Sequence, residues 1–165
     1  MFAFVDFIQD NPHLKRSVRS IVVRPADFAP WPLLHILPNL SEVGFTSREC
    51  FAARPDAVSA SWHQSSLTCS QRFGSHVQTL HLFCLSFATY LSFARALLAF
   101  ASIAHLTCTH VVIHKAGDRG PLDVITRRLS AQMQLKTLTV SVPQCTLSPV
   151  YLLGLKRKYR STTCL

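Results

Sequence analysis

At 165 residues the chain is long enough for one domain with its own core. Its 48% hydrophobic and 15% charged residues exclude a wholly disordered chain, which combines low hydrophobicity with high charge. The formal net charge of +9 would suit nucleic acid or anionic lipid, but the positive residues are scattered. The one dense run, Lys156, Arg157, Lys158 and Arg160, lies near the C-terminus and reads as a solvated tail, so no nucleic-acid partner is expected.

In chain order, Phe4, Val5, Phe7 and Ile8 begin a helix that Asn11-Pro12 ends. Asp6 and Asp10 interrupt this apolar start and no basic residue precedes it, so it does not read as a secretory signal. A pattern L-x-x-L-x-L, with any apolar residue at the L positions, first occurs as Val18–Ile21–Val23. Residues 33–37 form a short apolar turn closed by Pro38, which leads into the second copy, Leu40–Val43–Phe45. Residues 47–63, rich in Ser, Ala, Arg and Pro, read as an insertion loop, followed by a short helix over about 65–73. The third copy is Val77–Leu80–Leu82 and the fourth Ile103–Leu106–Cys108; Leu85 and Val111 extend them at the same offset. Between them Phe87, Tyr90, Leu91, Ala94, Leu97 and Leu98 recur at helical spacing and predict a helix over 87–100. Gly117-Asp118-Arg119-Gly120 reads as a turn before a helix over 122–133, with Leu122, Ile125, Leu129 and Met133 on one stripe and Arg127 and Arg128 facing away. The fifth copy is Leu135–Leu138–Val140.

In copies such as Val77–Leu82 and Leu135–Val140 the last four residues alternate apolar and polar, the pattern of a strand with one buried face. A unit of helix, turn and strand cannot bury its apolar face alone and needs stacked neighbours. The copies start at 18, 40, 77, 103 and 135, an uneven spacing beside the roughly 20–29 residues of regular leucine-rich repeats. The expected fold is α/β: an irregular leucine-rich-repeat solenoid fragment over residues 1–142, with stacked parallel strands and helices on the convex side. A basic C-terminal tail follows over 143–165. An ordinary α/β domain with a parallel sheet accounts for the same pattern.

This layout resembles the C-terminal region of fungal F-box proteins with irregular leucine-rich repeats. The resemblance is carried by Phe7-Ile8-Gln9-Asp10-Asn11-Pro12-His13-Leu14 with Val18-Arg19-Ser20-Ile21, by the stretch 34–40, and by Phe73-Gly74-Ser75-His76-Val77-Gln78-Thr79-Leu80. It covers residues 2–142, and its motifs record core packing rather than chemistry. It implies a substrate-receptor role in a ubiquitin-ligase adaptor, in which an F-box docks on cullin-type ligase components and the repeats select a protein partner. No F-box segment precedes the first repeat in this sequence, so the ligase connection depends on one encoded upstream.

In such an array the strands line the concave, partner-binding face. Alternation places Arg24, Glu42, Thr79, His81, Phe83, His105, Thr107, Thr109, Thr137 and Thr139 on it, with Ser20, Val22, Gly44, Thr46 and Ser141 completing the rows. Phe83 is either an aromatic anchor or covered by the insertion loop. His81-x-x-Cys84 and His105-x-x-Cys108-x-His110 carry zinc-ligand types, but alternation turns His105 outward and Cys108 inward, so no metal site is expected. No Gly-x-Ser-x-Gly elbow or phosphate loop occurs and carboxylates are sparse, so neither an enzyme nor a cofactor is expected. The six cysteines form no Cys-x-x-Cys pair and are expected as free thiols in an intracellular compartment, cytoplasmic or nuclear. Two alternatives stand beside the interaction module. One is a small membrane-associated protein with a span at about 83–103, a reading that Arg95 near its middle disfavours. The other is a truncated gene product without independent function.

Overall fold

The computed structural model describes residues 2–47, 62–100, 102–115, 127, 129, 131 and 133–141. Helix α1 (Phe2–Asp10) buries Val5 and Ile8, one turn apart, and leaves Phe4 and Phe7 outside. Asn11 ends it: its backbone N–H and its side-chain amide both donate to the carbonyl of Phe7, at 3.1 and 2.8 Å. Pro12, unable to continue the helix, opens a short 3-10 turn, Pro12–Arg16. Then come β1 (Ser20–Val23), α2 (Pro30–Ile36), β2 (Glu42–Thr46), α3 (Gln64–Phe73), β3 (Thr79–Phe83), β4 (Ser86–Thr89), α4 (Tyr90–Leu98), β5 (His105–Thr109), β6 (Val112–Lys115) and β7 (Thr137–Ser141).

The fold is α/β. Five strands form one open parallel sheet in the order β1-β2-β3-β5-β7, so each L-x-x-L-x-L copy supplies one strand and sequence neighbours are spatial neighbours. Ile21, Val43, Leu80, Leu106 and Leu138 stand side by side across it, as do Val23, Phe45, Leu82, Cys108 and Val140. The start of each strand is keyed to the one before. The carbonyl of Arg19 accepts the N–H groups of Ser41 and Glu42, that of Ser41 those of Gln78 and Thr79, that of Gln78 those of Ala104 and His105, and that of Ala104 those of Lys136 and Thr137, all at 2.7–3.1 Å. Just ahead, Leu40, Val77 and Ile103 each close a turn onto the carbonyl three residues back. The apolar residue that opens the pattern is therefore a turn residue, and the strand begins two positions later.

Cys84 and His110 both have left-handed backbone, φ 52° and 55°, a conformation that residues with a Cβ rarely adopt. They occupy matched positions, one residue past β3 and β5. Their N–H groups still donate to the next strand, to Thr109 and Ser141, and the chain then turns away from the sheet. Leu85 and Val111 follow, and β4 and β6 pair in parallel as a second, two-stranded sheet.

One hydrophobic core joins Val5 and Ile8 of α1, Leu33 and Leu34 of α2, Leu67 of α3 and Phe93 and Leu97 of α4 to Val43, Phe45, Leu80, Leu82, Leu106 and Leu138 of the sheet. Its centre is Phe45, fully buried and ringed by Phe28 (5.0 Å between centroids), Trp62 (4.5 Å) and Phe100 (5.9 Å). Gly74 caps α3 where nothing larger fits: a Cβ there would lie 2.5 Å from the carbonyl oxygen of Ser70.

The expected helix over 87–100 is corrected to Tyr90–Leu98. Thr89 accepts from the N–H of Ser92 while the Ser92 hydroxyl accepts from the N–H of Thr89, and this capping box sets the helix start. Phe87 reaches the core as a strand residue, edge-on to Phe93 at 5.2 Å. Its spacing to Tyr90 mimicked a helical turn. The alternative of a span at about 83–103, which Arg95 disfavoured, finds no support in the structure for a related reason. A left-handed turn at Cys84 and strand β4 divide it, leaving a helix of nine residues, and among the described residues no helix is long and apolar enough to cross a membrane. The apolar turn at 33–37 is part of a helix that begins earlier, at Pro30, where proline is tolerated. Of the helix expected over 122–133, Arg127, Leu129 and Ala131 are helical, with Leu129 and Met133 buried and Arg127 exposed. The remainder of that helix, the 117–120 turn, most of the 47–63 loop and the 143–165 tail lie outside the described residues.

Replacing Phe45 by Ala should lower stability by about 3–5 kcal/mol, the usual cost of emptying a fully buried aromatic site. Val22→Ala, on the exposed side of the same sheet, should stay within about 1 kcal/mol. Urea denaturation followed by circular dichroism checks both.

Candidate functional site

Because the strands are in register, the polar residues of the alternation also form rows. Ser20, Glu42, Thr79, His105 and Thr137 lie side by side, followed by Val22, Gly44, His81, Thr107 and Thr139, then Thr46, Phe83, Thr109 and Ser141. All of these are at least partly exposed except Gly44, while the residues between them enter the core. Every expected face residue except Arg24 belongs to these rows. Arg24 lies one residue past β1, and its guanidinium is paired with Asp27.

Three contacts organise the face. Nε2 of His81 lies 3.1 Å from Oε1 of Glu42, a diagonal pair between β3 and β2. The His81 ring stacks on Phe83 two residues along the same strand, centroids 5.6 Å apart and planes 7° apart. His105 Nδ1 and Thr137 Oγ1, directly opposite on β5 and β7, lie 2.7 Å apart. Gly44 makes a dip between Val22 and His81. A Cβ on it would sit 3.0 Å from Cγ2 of Val22, so glycine lets Val22, 60% exposed, lie over the strand beside it. The Nδ1 atom of His81 is buried without a hydrogen-bond partner. With the ring proton on Nε2, toward Glu42, this atom is an acceptor, the cheaper kind of group to leave unsatisfied.

The centre of the face is therefore a Glu42–His81–Phe83 cluster beside a shallow floor at Gly44, flanked by threonine hydroxyls on β5 and β7. The hydroxyls repeat at the strand spacing of about 4.8 Å and can donate and accept. The sequence identified these residues but not their pairing. The diagonal reach from Glu42 to His81 and the His81–Phe83 stack depend on side-chain direction, for which alternation carries no signal.

The cysteines divide. Cys108 is buried and free, and Cys69 is half-buried and free. Cys84 is disulfide-bonded, which corrects the expectation of free thiols throughout. The left-handed turn removes Cys84 from the in-out alternation that would have buried it beside Leu82. The intracellular expectation thereby loses the support that free thiols lent it. Burial pushes the Cys108 thiol up to about 12, so neither a nucleophile nor a metal-ligating thiolate is present there at neutral pH. His105 lies on the opposite side of the strand, and among the described residues no group of three or more His, Cys, Asp or Glu side chains could hold a metal ion.

Against known proteins, no family model, no curated protein and no solved structure matches the chain.

Iodoacetamide applied to the native chain at about pH 8 should label Cys69 and spare Cys108. In denaturing urea both should react, as peptide mapping by mass spectrometry would show. Equal labelling in the native state would contradict the buried placement of Cys108.

Proposed function

We propose that this chain is a protein-binding module, a leucine-rich-repeat-type array that takes its partner on the open face of the five-stranded sheet. The observation that carries the reading is the register. Five parallel strands, joined by four keyed strand starts, leave on one side three rows of mostly polar, partly exposed residues, interrupted by Val22 and the buried Gly44 and carrying an aromatic ring at Phe83. A wide, shallow, hydrogen-bonding surface suits a protein segment better than a small molecule, which prefers a deep and largely apolar pocket. The recurrence of the same hydrogen-bonded strand start through units of unequal length supports the stacked-repeat part of the reading. Phe83 and the His81 ring beside it are the natural anchor, since aromatic side chains dominate binding energy where they become desolvated.

The resemblance to fungal F-box proteins extends this proposal to a substrate receptor for a cullin-type ubiquitin ligase, with the sheet face selecting the protein to be modified. The alternative of a membrane-spanning protein has no support in the 83–103 stretch, which is divided between two strands and a nine-residue helix.

Photo-crosslinking from Thr107, compared with Arg95 on α4, tests which side meets the partner. Glutamate at Thr79, His81 or Thr107 should weaken capture of the crosslinked partner about 30-fold or more, with the circular dichroism spectrum retained. Capture that survives all three substitutions in a folded chain removes the face assignment. Co-purification of cullin-type ligase components with the chain tests the ligase extension separately.

A further inference from the structure

One residue stands just ahead of each strand of the five-stranded sheet: Arg19, Ser41, Gln78, Ala104 and Lys136. The register makes these five equivalent. Four of them lock the next strand, the carbonyl receiving the N–H of the next equivalent residue and of the residue after it. Five equivalent residues in a row make four locks, so half a lock is left at each end. At the β1 end, the N–H groups of Arg19 and Ser20 have no backbone acceptor among the described residues. At the β7 end, the carbonyl of Lys136 accepts no backbone N–H among them. An edge strand with unpaired backbone groups is a template for another strand.

The core thins at the same two ends. The inward residues of β2, β3 and β5 are at most 3% exposed, whereas Ile21 and Val23 of β1 and Val140 of β7 are only partly buried. In the first unit Phe7 of α1 is 53% exposed. The two ends are complements. One offers two donors and the other one acceptor, the strands run in the same direction, and Ile21 and Val23 stand at the positions that Leu138 and Val140 hold on β7. Two β1 edges do not complement each other in this way. Across a two-fold axis they run antiparallel, and full overlap of Ser20–Val23 sets Arg19 of each copy opposite Arg24 of the other.

We propose that the chain associates head to tail with further copies of itself. In the join, β7 of one copy pairs in parallel with β1 of the next, and the Lys136 carbonyl of the first accepts the N–H groups of Arg19 and Ser20 of the second. Such an interface is heterologous, so assembly continues past the dimer. The join uses the sheet edges and leaves the polar face open, so it stands apart from the reading given to that face. One pair opposes it. The exposed side chains of Arg19 and Lys136 lie side by side across the join, and like charges so placed weaken strand pairing.

Sedimentation velocity on the full chain, from micromolar to millimolar concentration, is the test. Mass should rise with concentration beyond that of a dimer, and more readily in added salt, which screens the Arg19–Lys136 pair. Ser20→Pro removes one outward N–H and should weaken association about tenfold or more. That variant keeps its β7 edge, so mixed with the unaltered chain it should add to free β1 edges and shorten the assemblies. Lys136→Glu makes the opposing pair attractive and should tighten association about threefold or more. A photo-crosslinking residue at Ile21 should capture residues 137–141 of another copy. If Ser20→Pro fails to fold, Lys136→Glu and the crosslink decide. The proposal is overturned if the chain stays monomeric throughout, if growth stops at a dimer, or if folded Ser20→Pro associates undiminished. It is equally overturned if Lys136→Glu weakens association, or if the Ile21 crosslink lands on β1 of another copy or within its own chain.

Discussion

A single backbone carbonyl just ahead of β1, β2, β3 and β5, accepting two N–H groups from the start of the next strand of the sheet, is the constraint on which the rest of the molecule depends. Side chains on a strand alternate with a period of two, so a slip of one residue would exchange the buried and exposed faces along a whole strand. The four locks at Arg19, Ser41, Gln78 and Ala104 hold the register against that slip. They also explain how segments of unequal length between strands are tolerated. The lock needs only the few residues around the strand start, and length differences fall in the segments between strands, outside the ladder.

Once register is set, the two faces acquire opposite chemistry. One presents Val43, Phe45, Leu80, Leu82, Leu106 and Leu138 to the helices, and the aromatic contacts of Phe45 with Phe28, Trp62 and Phe100 tie the second strand to segments before and after it. The other presents threonine, histidine, glutamate and Phe83. Hydrogen bonds from the backbone ladder hold the polar face rigid, so its side chains stand on a fixed frame. The helical side is built differently: Trp31 is fixed by neighbouring rings rather than by a ladder.

Several elements were legible in the residues alone. The apolar pairs at 21 and 23, 43 and 45, 80 and 82, 106 and 108, and 138 and 140 marked five strands and their inward sides, because alternation is imposed by backbone geometry and needs no tertiary contact. Val5 and Ile8, and the stop at Asn11-Pro12, were equally local. The stretch from 83 to 103 was not. Its apolar residues satisfy strand, helix and span patterns at once, and the deciding events are a left-handed residue at Cys84 and a capping box at Thr89 and Ser92. Cysteine carries no preference for that backbone conformation, so nothing in its identity announces the turn. Its disulfide was equally hidden, because spacing in sequence does not reveal which side chains approach one another.

By itself, then, the sequence determined the five strands, which residues of each turn inward, and the polar composition of the outward rows. Those properties follow from periodicity along one chain segment. The tertiary structure alone decided that Glu42 meets His81, that His105 meets Thr137, that Gly44 leaves room for Val22, and that Trp31 rests on Phe73. Each of these joins residues on different elements. Their meeting depends on strand order, on diagonal side-chain reach and on helix packing, and a one-dimensional pattern contains none of these distances.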